Sequence, residues 1–208
     1  MEYIQGENLK DYSKNNRLNS TIIIPIIIIL LKGLIAFHDE EYIVGDLKLE
    51  NLMVDKKNKK MKIIDLGGVV RKGQSIKEFT PLYDRTSWKC GGRVADTSYD
   101  IFMVMMIFIR LLIKEPIHPK GHRIEDVIVK LKSLDLDKGF QDCIIDGLLG
   151  RKCSLDYYIE KLKKLYRIER SNELQERLLS REKKTNRLLC FSVLFFIVTI
   201  VFLFLISI

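Results

Sequence analysis

The chain has 208 residues, of which 47% are hydrophobic and 30% are charged. This balance is typical of a globular protein and argues against an intrinsically disordered chain. The formal net charge of +8 is compatible with an anionic surface or polyanion as a partner, although much of the excess lies near the C-terminus. The four cysteines contain no C-x-x-C pair and no ligand-like histidine spacing, which favours reduced thiols of a cytosolic domain over a disulfide or zinc framework.

The N-terminal part is predicted to be mainly helical. Residues 1–18 form a short extended piece followed by the start of a polar helix, and residues 20–38 form a mostly apolar helix. The apolar run inside that helix, residues 22–31, is ten residues long and contains Pro25. Because this run is too short to span a bilayer, we expect a buried helix of a soluble domain.

Two short strands, an irregular segment and a buried helix are predicted next. The strands cover residues 51–54 and 62–64, and the turn between them is almost entirely charged. Residues 66–98 contain five glycines, which indicates a long functional loop. Residues 100–113 form a helix that is apolar on all sides and is therefore deeply buried. Two or three further helices follow, up to about residue 166.

The C-terminal part carries three successive patterns. Residues 155–168 have an apolar face at helical spacing. Residues 161–187 contain ten Lys or Arg and four Glu, a net charge of +6, which predicts a helical juxtamembrane stalk. This stalk is either a simple solvated helix or a segment attracted to anionic lipid headgroups or nucleic acid, and a nearby membrane favours lipid.

The last 21 residues, 188–208, contain no charged side chain. A helix of that length spans roughly 30 Å, which is the thickness of the hydrocarbon core of a bilayer. The alternative is a buried core helix, but a core helix usually has a polar face and this segment has none. We therefore predict a transmembrane helix, and its basic upstream flank places the preceding domain in the cytoplasm.

Three short motifs occur in order between the first apolar helix and the second. The first is GDLKLEN from Gly45 to Asn51, and the second is DLG, which begins at Asp65 directly after a predicted strand. The third is TPLY, which begins at Thr80. Each motif alone is a weak signal, because an isolated Asp or Asn is commonly a turn residue or a helix cap. The three motifs together, at this spacing, are specific.

The combined pattern resembles the Hanks-type protein kinases, whose motifs are H-R-D-L-K-x-x-N, D-F-G and G-T-P-x-Y. The resemblance covers about residues 1–165 and implies a mainly α fold, the kinase C-lobe, in which a short β-hairpin carries the catalytic and D-L-G loops. The domain order would then be 1–165 kinase C-lobe starting at the hinge, 166–187 basic juxtamembrane helix or linker, and 188–208 transmembrane tail anchor. This layout is similar to that of tail-anchored kinases of spore-forming bacteria.

The resemblance implies a role for each motif residue in phosphoryl transfer from ATP. Asp46 would accept or orient the proton of the substrate hydroxyl, and Lys48 would neutralise charge on the transferred phosphoryl group. Asn51 and Asp65 would hold Mg²⁺, which prefers oxygen ligands. Thr80 would position the substrate peptide. In the family, a lysine at Lys48 and a threonine at Thr80 accompany serine/threonine specificity.

The same resemblance implies an ATP site and a structural carboxylate. Glu2 and Ile4 fall in the segment that resembles the hinge, which pairs with adenine through backbone groups. Met53 is predicted to bind the ATP cofactor together with them. Asp100 opens the apolar helix and would hold the backbone of the catalytic loop. A carboxylate in that buried place needs hydrogen-bond partners.

Several family features are missing or altered. The chain has no G-x-G-x-x-G loop and no V-A-I-K lysine, and Met1 stands next to the hinge, so we expect a reading frame that starts upstream or an N-lobe supplied separately. Gly45 replaces the arginine that usually receives an activation-loop phosphate, which makes control by such a phosphate less expected. Arg85 and its neighbours replace A-P-E, and Lys152 replaces the arginine that usually pairs with that glutamate.

Two functions stay open from sequence. One is a membrane-anchored Ser/Thr kinase that uses ATP and Mg²⁺ on protein substrates, conditional on a complete site. The other is a membrane-tethered pseudokinase that acts as a scaffold without phosphoryl transfer. Partners expected in either case are the membrane through 188–208 and anionic lipid through 161–187. DNA has no supporting motif in the sequence.

Overall fold

The core of the first part of the molecule is built around one buried helix, and the remaining elements pack on it. A computed structural model describes residues 4–206 apart from 17, 56 and 59, with side chains described up to residue 195. The chain divides into two compact units, one ending at Tyr166 and one beginning at Arg167. The helices are α1 (Leu9–Asn15), α2 (Ser20–Asp39), α3 (Thr97–Leu112), α4 (Ile124–Lys132), α5 (Lys138–Leu148) and α6 (Leu155–Ile206).

The strands are short and form two small antiparallel sheets. They are β1 (Gly6–Asn8), β2 (Tyr42–Ile43), β3 (Leu52–Asp55), β4 (Lys60–Ile63) and β5 (Val70–Arg71). One sheet has the order β1-β3-β4 and the other pairs β2 with β5. The predicted hairpin is therefore present as β3 and β4, but the first strand of its sheet, β1, was predicted only as an extended piece.

The central helix α3 is buried on nearly every side. Twelve of its residues, among them Tyr99, Asp100 and Phe102, are buried. The helix begins three residues before the predicted start, because the side chain of Asp96 caps it by accepting a hydrogen bond from the Tyr99 amide at 2.9 Å. The apolar run alone did not reveal this cap.

The helix α2 packs beside α3 and supplies a second part of the core. Its buried residues recur at helical spacing: Ile23, Ile24, Ile27, Leu30, Leu31 and Leu34. Among the described residues, α2 is the one helix whose length and apolar composition would allow it to cross a membrane. Its buried face agrees with the core helix predicted for residues 22–31, and Asn19 caps its N-terminus through the Ile22 amide.

The second unit is helical over its described length, since it consists of α6 from Arg167 to Ile206. The side chains from Leu174 to Phe195 are exposed. Within the first unit, the beginning of α6 buries Leu155, Tyr158, Ile159 and Leu162, as its amphipathic spacing predicted. The predicted transmembrane segment, residues 188–208, lies only partly within the described side chains, since those beyond residue 195 are outside them.

Candidate active site

The backbone of residues 44–51, the predicted catalytic loop, is held by the buried carboxylate of Asp100. Its Oδ2 accepts a hydrogen bond from the Val44 amide at 3.0 Å, and its Oδ1 accepts one from the Gly45 amide at 3.1 Å. The Nε2 atom of His38 lies 2.8 Å from Oδ2. The Asp100 side chain is fully buried, and these three partners satisfy the requirement that a buried carboxylate be hydrogen-bonded.

His38 was not predicted as a functional residue. It lies in the last turn of α2, eight positions before Asp46, so the sequence placed it close to the catalytic loop along the chain. Its contact with Asp100 spans 62 positions of sequence and has no local pattern that could reveal it. The structure therefore adds His38 to the residues that position the loop.

Two glycines bring the D-L-G segment against the catalytic loop. Gly45 has a φ of +76°, and a Cβ atom there would lie 2.5 Å from the carbonyl oxygen of Gly68. A Cβ atom on Gly68 would in turn lie 2.9 Å from the Cβ of Asp46 and 3.0 Å from its amide nitrogen. Both positions therefore favour glycine, because a side chain at either would clash with the facing segment. Gly45 also has a left-handed backbone conformation, which glycine adopts without strain.

The side chains of Asp46, Lys48 and Thr80 meet at the centre of the site. The Nζ of Lys48 lies 2.5 Å from Oδ2 of Asp46, and the hydroxyl of Thr80 donates to Oδ1 of Asp46 at 2.9 Å. The same hydroxyl lies 3.5 Å from the Lys48 ammonium. The structure thus gathers three predicted site residues that are separated by up to 34 positions in sequence.

Asn51 is linked both to Asp46 and to the strand that leads to Asp65. Its Nδ2 donates to the backbone carbonyl of Asp46 at 3.2 Å, and its own carbonyl accepts from the Ile64 amide at 2.8 Å. Asp65 follows directly, with a φ of +62° and an exposed carboxylate that accepts from the Gly67 amide at 3.3 Å. A left-handed backbone at a non-glycine residue is uncommon and concentrates at functional sites.

The donor set at Asn51 and Asp65 suits a magnesium ion that also binds phosphate. The Nδ2 of Asn51 is used as a donor, so its Oδ1 is the amide atom that could ligate a cation. Across the part of the chain that the structure describes, no group of three or more His, Cys, Asp or Glu side chains could hold a metal by itself. Magnesium at phosphoryl-transfer sites typically takes one or two protein ligands and completes its shell with phosphate and water.

The residues predicted to contact adenine are only partly described. Glu2 lies outside the described residues. Ile4 is half-buried and precedes β1, and Met53 is half-buried in β3, where it pairs with Asn8 of β1. Met53 therefore lies in the strand next to β1, and Ile4 lies in the chain that leads into β1. Their contact with adenine stays a prediction.

A network of charges holds the segment from Asp84 to Asp96, and sequence reasoning missed it. The Asp84 carboxylate is fully buried and accepts hydrogen bonds from Arg93 Nη2 at 2.8 Å, Ser87 Oγ at 2.6 Å and Tyr99 Oη at 2.9 Å. Burial opposes the charged form of Asp84, but these hydrogen bonds outweigh it and lower the pKa of the carboxyl. Asp84 is thus ionised and fully partnered.

Arg85 forms the second half of this network. Its guanidinium makes two hydrogen bonds to the Asp96 carboxylate, the shorter at 2.6 Å, and donates to the Gly92 carbonyl at 2.7 Å. Because Asp96 also caps α3, Arg85 ties the segment to the central helix. Lys152, which replaces the family arginine, is exposed and lies 5.8 Å from the ring of Tyr157.

Known proteins resemble this chain in sequence and in fold. Residues 1–183 match the family described as the protein kinase domain. The chain is 34% identical over 157 residues to the serine/threonine-protein kinase YabT of Bacillus subtilis, a match that covers 75% of this chain and 46% of that protein. It is 43% identical over 68 residues to the probable serine/threonine-protein kinase fnkB of Dictyostelium discoideum, covering 32% of this chain and 13% of that protein.

A solved structure supports the same fold. The kinase PK-1 of the Cydia pomonella granulovirus matches with a TM-score of 0.62 and 24% sequence identity, over 77% of this chain and 67% of that one. At this level of identity, the likeness concerns the fold alone. The chain spans about half the length of YabT and a smaller part of fnkB. The family match covers most of the chain, including the four residues of the phosphoryl-transfer motifs, and the chain belongs to the protein kinase domain family.

Proposed function

We propose that this protein transfers the γ-phosphoryl group of ATP to serine or threonine residues of proteins while anchored in a membrane. The observation that carries the proposal is the contact of Asp46 with both Lys48 and Thr80. YabT is named a serine/threonine-protein kinase and fnkB a probable serine/threonine-protein kinase, and these names support the same substrate class. Lys48 and Thr80 are also the residue types that accompany Ser/Thr specificity in the family.

Asp46 can orient a substrate hydroxyl because its carboxylate keeps free acceptor capacity. An ionised carboxylate has about four acceptor positions, and the ammonium of Lys48 and the hydroxyl of Thr80 use two of them. A substrate hydroxyl would need to come within about 2.6–3.2 Å of one of its oxygens. The hydroxyl of Thr80 already lies at such a distance from Oδ1 of Asp46, so Thr80 can hold the Asp46 carboxylate in place beside the substrate.

Lys48 brings a positive charge to the same point. Phosphoryl transfer relies on positioning and on neutralising charge on the transferred group, and little covalent chemistry is left to the protein. Lys48 is held in place by Asp46 and can therefore serve both the carboxylate and the phosphoryl oxygens. Asn51 and Asp65 would hold Mg²⁺, which supplies charge neutralisation to the phosphates of ATP when bound.

The membrane anchor is proposed from the C-terminal sequence. Residues 188–208 carry no charge, and the described side chains at the start of this segment, such as Leu188, Phe191 and Phe195, are large, apolar and exposed. Exposed apolar side chains in this number indicate contact with a partner or a membrane. The basic residues in 161–187 would add attraction to anionic lipid and place the kinase domain on the cytoplasmic side.

The test is phosphate incorporation by the full 208-residue chain in a mild detergent with Mg·ATP and a protein substrate. We expect Asp46→Asn and Asp65→Ala to lower incorporation at least roughly 100-fold, because each removes a group that acts at the transferred phosphoryl. The matched control is Asp39→Asn, which changes one exposed carboxylate at the end of α2.

Two results would contradict the proposal. Incorporation that is equal in the wild-type and Asp46→Asn chains would show that the activity does not use this site. Saturable ATP binding without any incorporation, with or without a separately supplied N-lobe, would instead support the pseudokinase scaffold.

A further inference from the structure

A basic cleft borders the predicted catalytic loop, and its lining residues have no assigned role in the proposed phosphoryl transfer. It has a volume of about 370 Å³ and opens between α1, the turn Leu49–Asn51 and the end of α3. Four of its lining side chains are cationic, and they come from α1 and from the end of α3 and the loop that follows it: Lys10, Lys14, Arg110 and Lys114. A site that concentrates one sign of charge in a cleft attracts ligands of the opposite sign.

Two of these cations have a carboxylate partner, and two have none within the part of the chain that the structure describes. Lys10 pairs with Glu50 at 2.8 Å, and Lys14 pairs with Asp11 at 3.2 Å. The hydrogen bond to Glu50 raises the pKa of Lys10, and the positive charge of Arg110 acts against it.

Arg110 donates to an uncharged group, the backbone carbonyl of Glu115, at 2.8 Å. Lys114 is exposed, and among the described residues neither it nor Arg110 has a carboxylate partner. The cleft therefore keeps about two positive charges that an anionic ligand could neutralise.

The position of the cleft relates it to a substrate peptide. Leu49 lines the cleft and lies three residues after Asp46 in the chain. Three residues of chain span at most about 11 Å, which is also the reach of about three residues of an extended peptide. A peptide whose hydroxyl lies at Asp46 can therefore place a nearby side chain in the cleft.

We propose that the cleft bounded by Arg110 and Lys114 binds an acidic side chain of the protein substrate, two or three residues away from the phosphorylated serine or threonine. This inference rests on the proposed function, because it names the substrate class of the same site. Glutamate, aspartate and a phosphorylated residue share the required chemistry, a compact anionic oxygen group on a short stem. The apolar side chains of Leu49 and Leu111 in the cleft suit the methylene part of such a residue.

A binding measurement tests the proposal without requiring catalysis. The full chain in mild detergent is titrated, at about physiological ionic strength, into short fluorescent peptides with a central serine. The peptides carry glutamate, phosphoserine or glutamine two and three residues before the serine, or after it. We expect one acidic arrangement to bind roughly tenfold more tightly than its glutamine counterpart, with the glutamate and phosphoserine arms distinguishing the two sources of charge.

Charge-reversal variants locate the effect. We expect Arg110→Glu and Lys114→Glu each to abolish most of the preference, and Lys120→Glu, an equal change at an exposed residue that does not line the cleft, to leave it intact. Lys114 is exposed, so its variant keeps the test decisive even if Arg110→Glu destabilises α3.

Each outcome decides the proposal. Equal binding of acidic and glutamine peptides, or a preference that both variants leave unchanged, would overturn it. Binding of a DNA oligonucleotide or inorganic phosphate through Arg110, without any preference for acidic peptides, would overturn it as well. A preference for acidic peptides that depends on Arg110, in a chain that incorporates no phosphate, would support the cleft as a binding site and reject the proposed kinase activity. Failure of the cleft proposal is therefore distinguishable from failure of the proposed function.

Discussion

Asp100 is the acceptor on which the conformation of the catalytic loop depends. It binds the amides of Val44 and Gly45 and contacts His38, and water does not reach it. The resemblance to protein kinases implied a carboxylate here that holds the catalytic loop, and its position at the start of a buried helix implied that it needs hydrogen-bond partners. The sequence did not predict His38, because the histidine and the carboxylate meet only through the packing of α2 on α3.

Replacing Asp100 with alanine should destabilise the protein strongly. The change leaves two buried amides without an acceptor, at a cost of about 1–3 kcal/mol each. We therefore expect Asp100→Ala in the full chain to lower Tm by roughly 5–10 °C, whereas Asp39→Ala, at an exposed position, should shift it by about 1 °C. Thermal unfolding followed by circular dichroism measures both, and equal shifts in the two variants would contradict this assignment.

At the scale of elements, the sequence predicted the helices better than the loops. The bounds of α2 and the hairpin of β3 and β4 follow from periodicity and turn composition, which are local. The segment from Asp84 to Asp96 was predicted only as a long loop, although it is held by ion pairs of Arg93 and Arg85. Such contacts join residues 9 to 15 positions apart without any period, so no local pattern reports them.

The packing of the D-L-G segment on the catalytic loop gives a prediction for this element. A Cβ at Gly68 would lie 2.9 Å from the Asp46 Cβ, so we expect Gly68→Ala to displace Asp46 and to lower phosphate incorporation roughly 10-fold or more. Gly33→Ala is the matched control, because Gly33 is an exposed residue of α2 with open space around it. That variant should keep full activity and gain about 0.5–1 kcal/mol in stability. Equal phosphate incorporation by the Gly68→Ala and Gly33→Ala chains would show that the contact of Gly68 with Asp46 does not matter for activity.

At the scale of the whole molecule, the sequence motifs identified the kinase family, and the fold agrees with a kinase structure of low sequence identity. The membrane anchor is a proposal that a fractionation experiment tests. We expect the full chain expressed in bacteria to stay with the membrane pellet after alkaline carbonate extraction. A matched chain with two lysines in place of Phe195 and Val198 should be released, because each charge at the centre of a membrane helix costs about 3 kcal/mol. Release of the wild-type chain would rule out a spanning anchor.

The ionised Asp84 and its partner Arg93 have a consequence for control of the proposed kinase activity. In many switches, an added phosphate supplies the negative charge that orders a loop. Here the carboxylate of Asp84, which is encoded in the chain, already provides that charge. Arg93 pairs with this carboxylate and also lies over the ring of Phe79, 3.8 Å from its centroid. The segment from Asp84 to Asp96 is thus held by charges that the chain itself encodes. If the chain is the proposed kinase, we therefore expect its activity not to require phosphorylation of this segment.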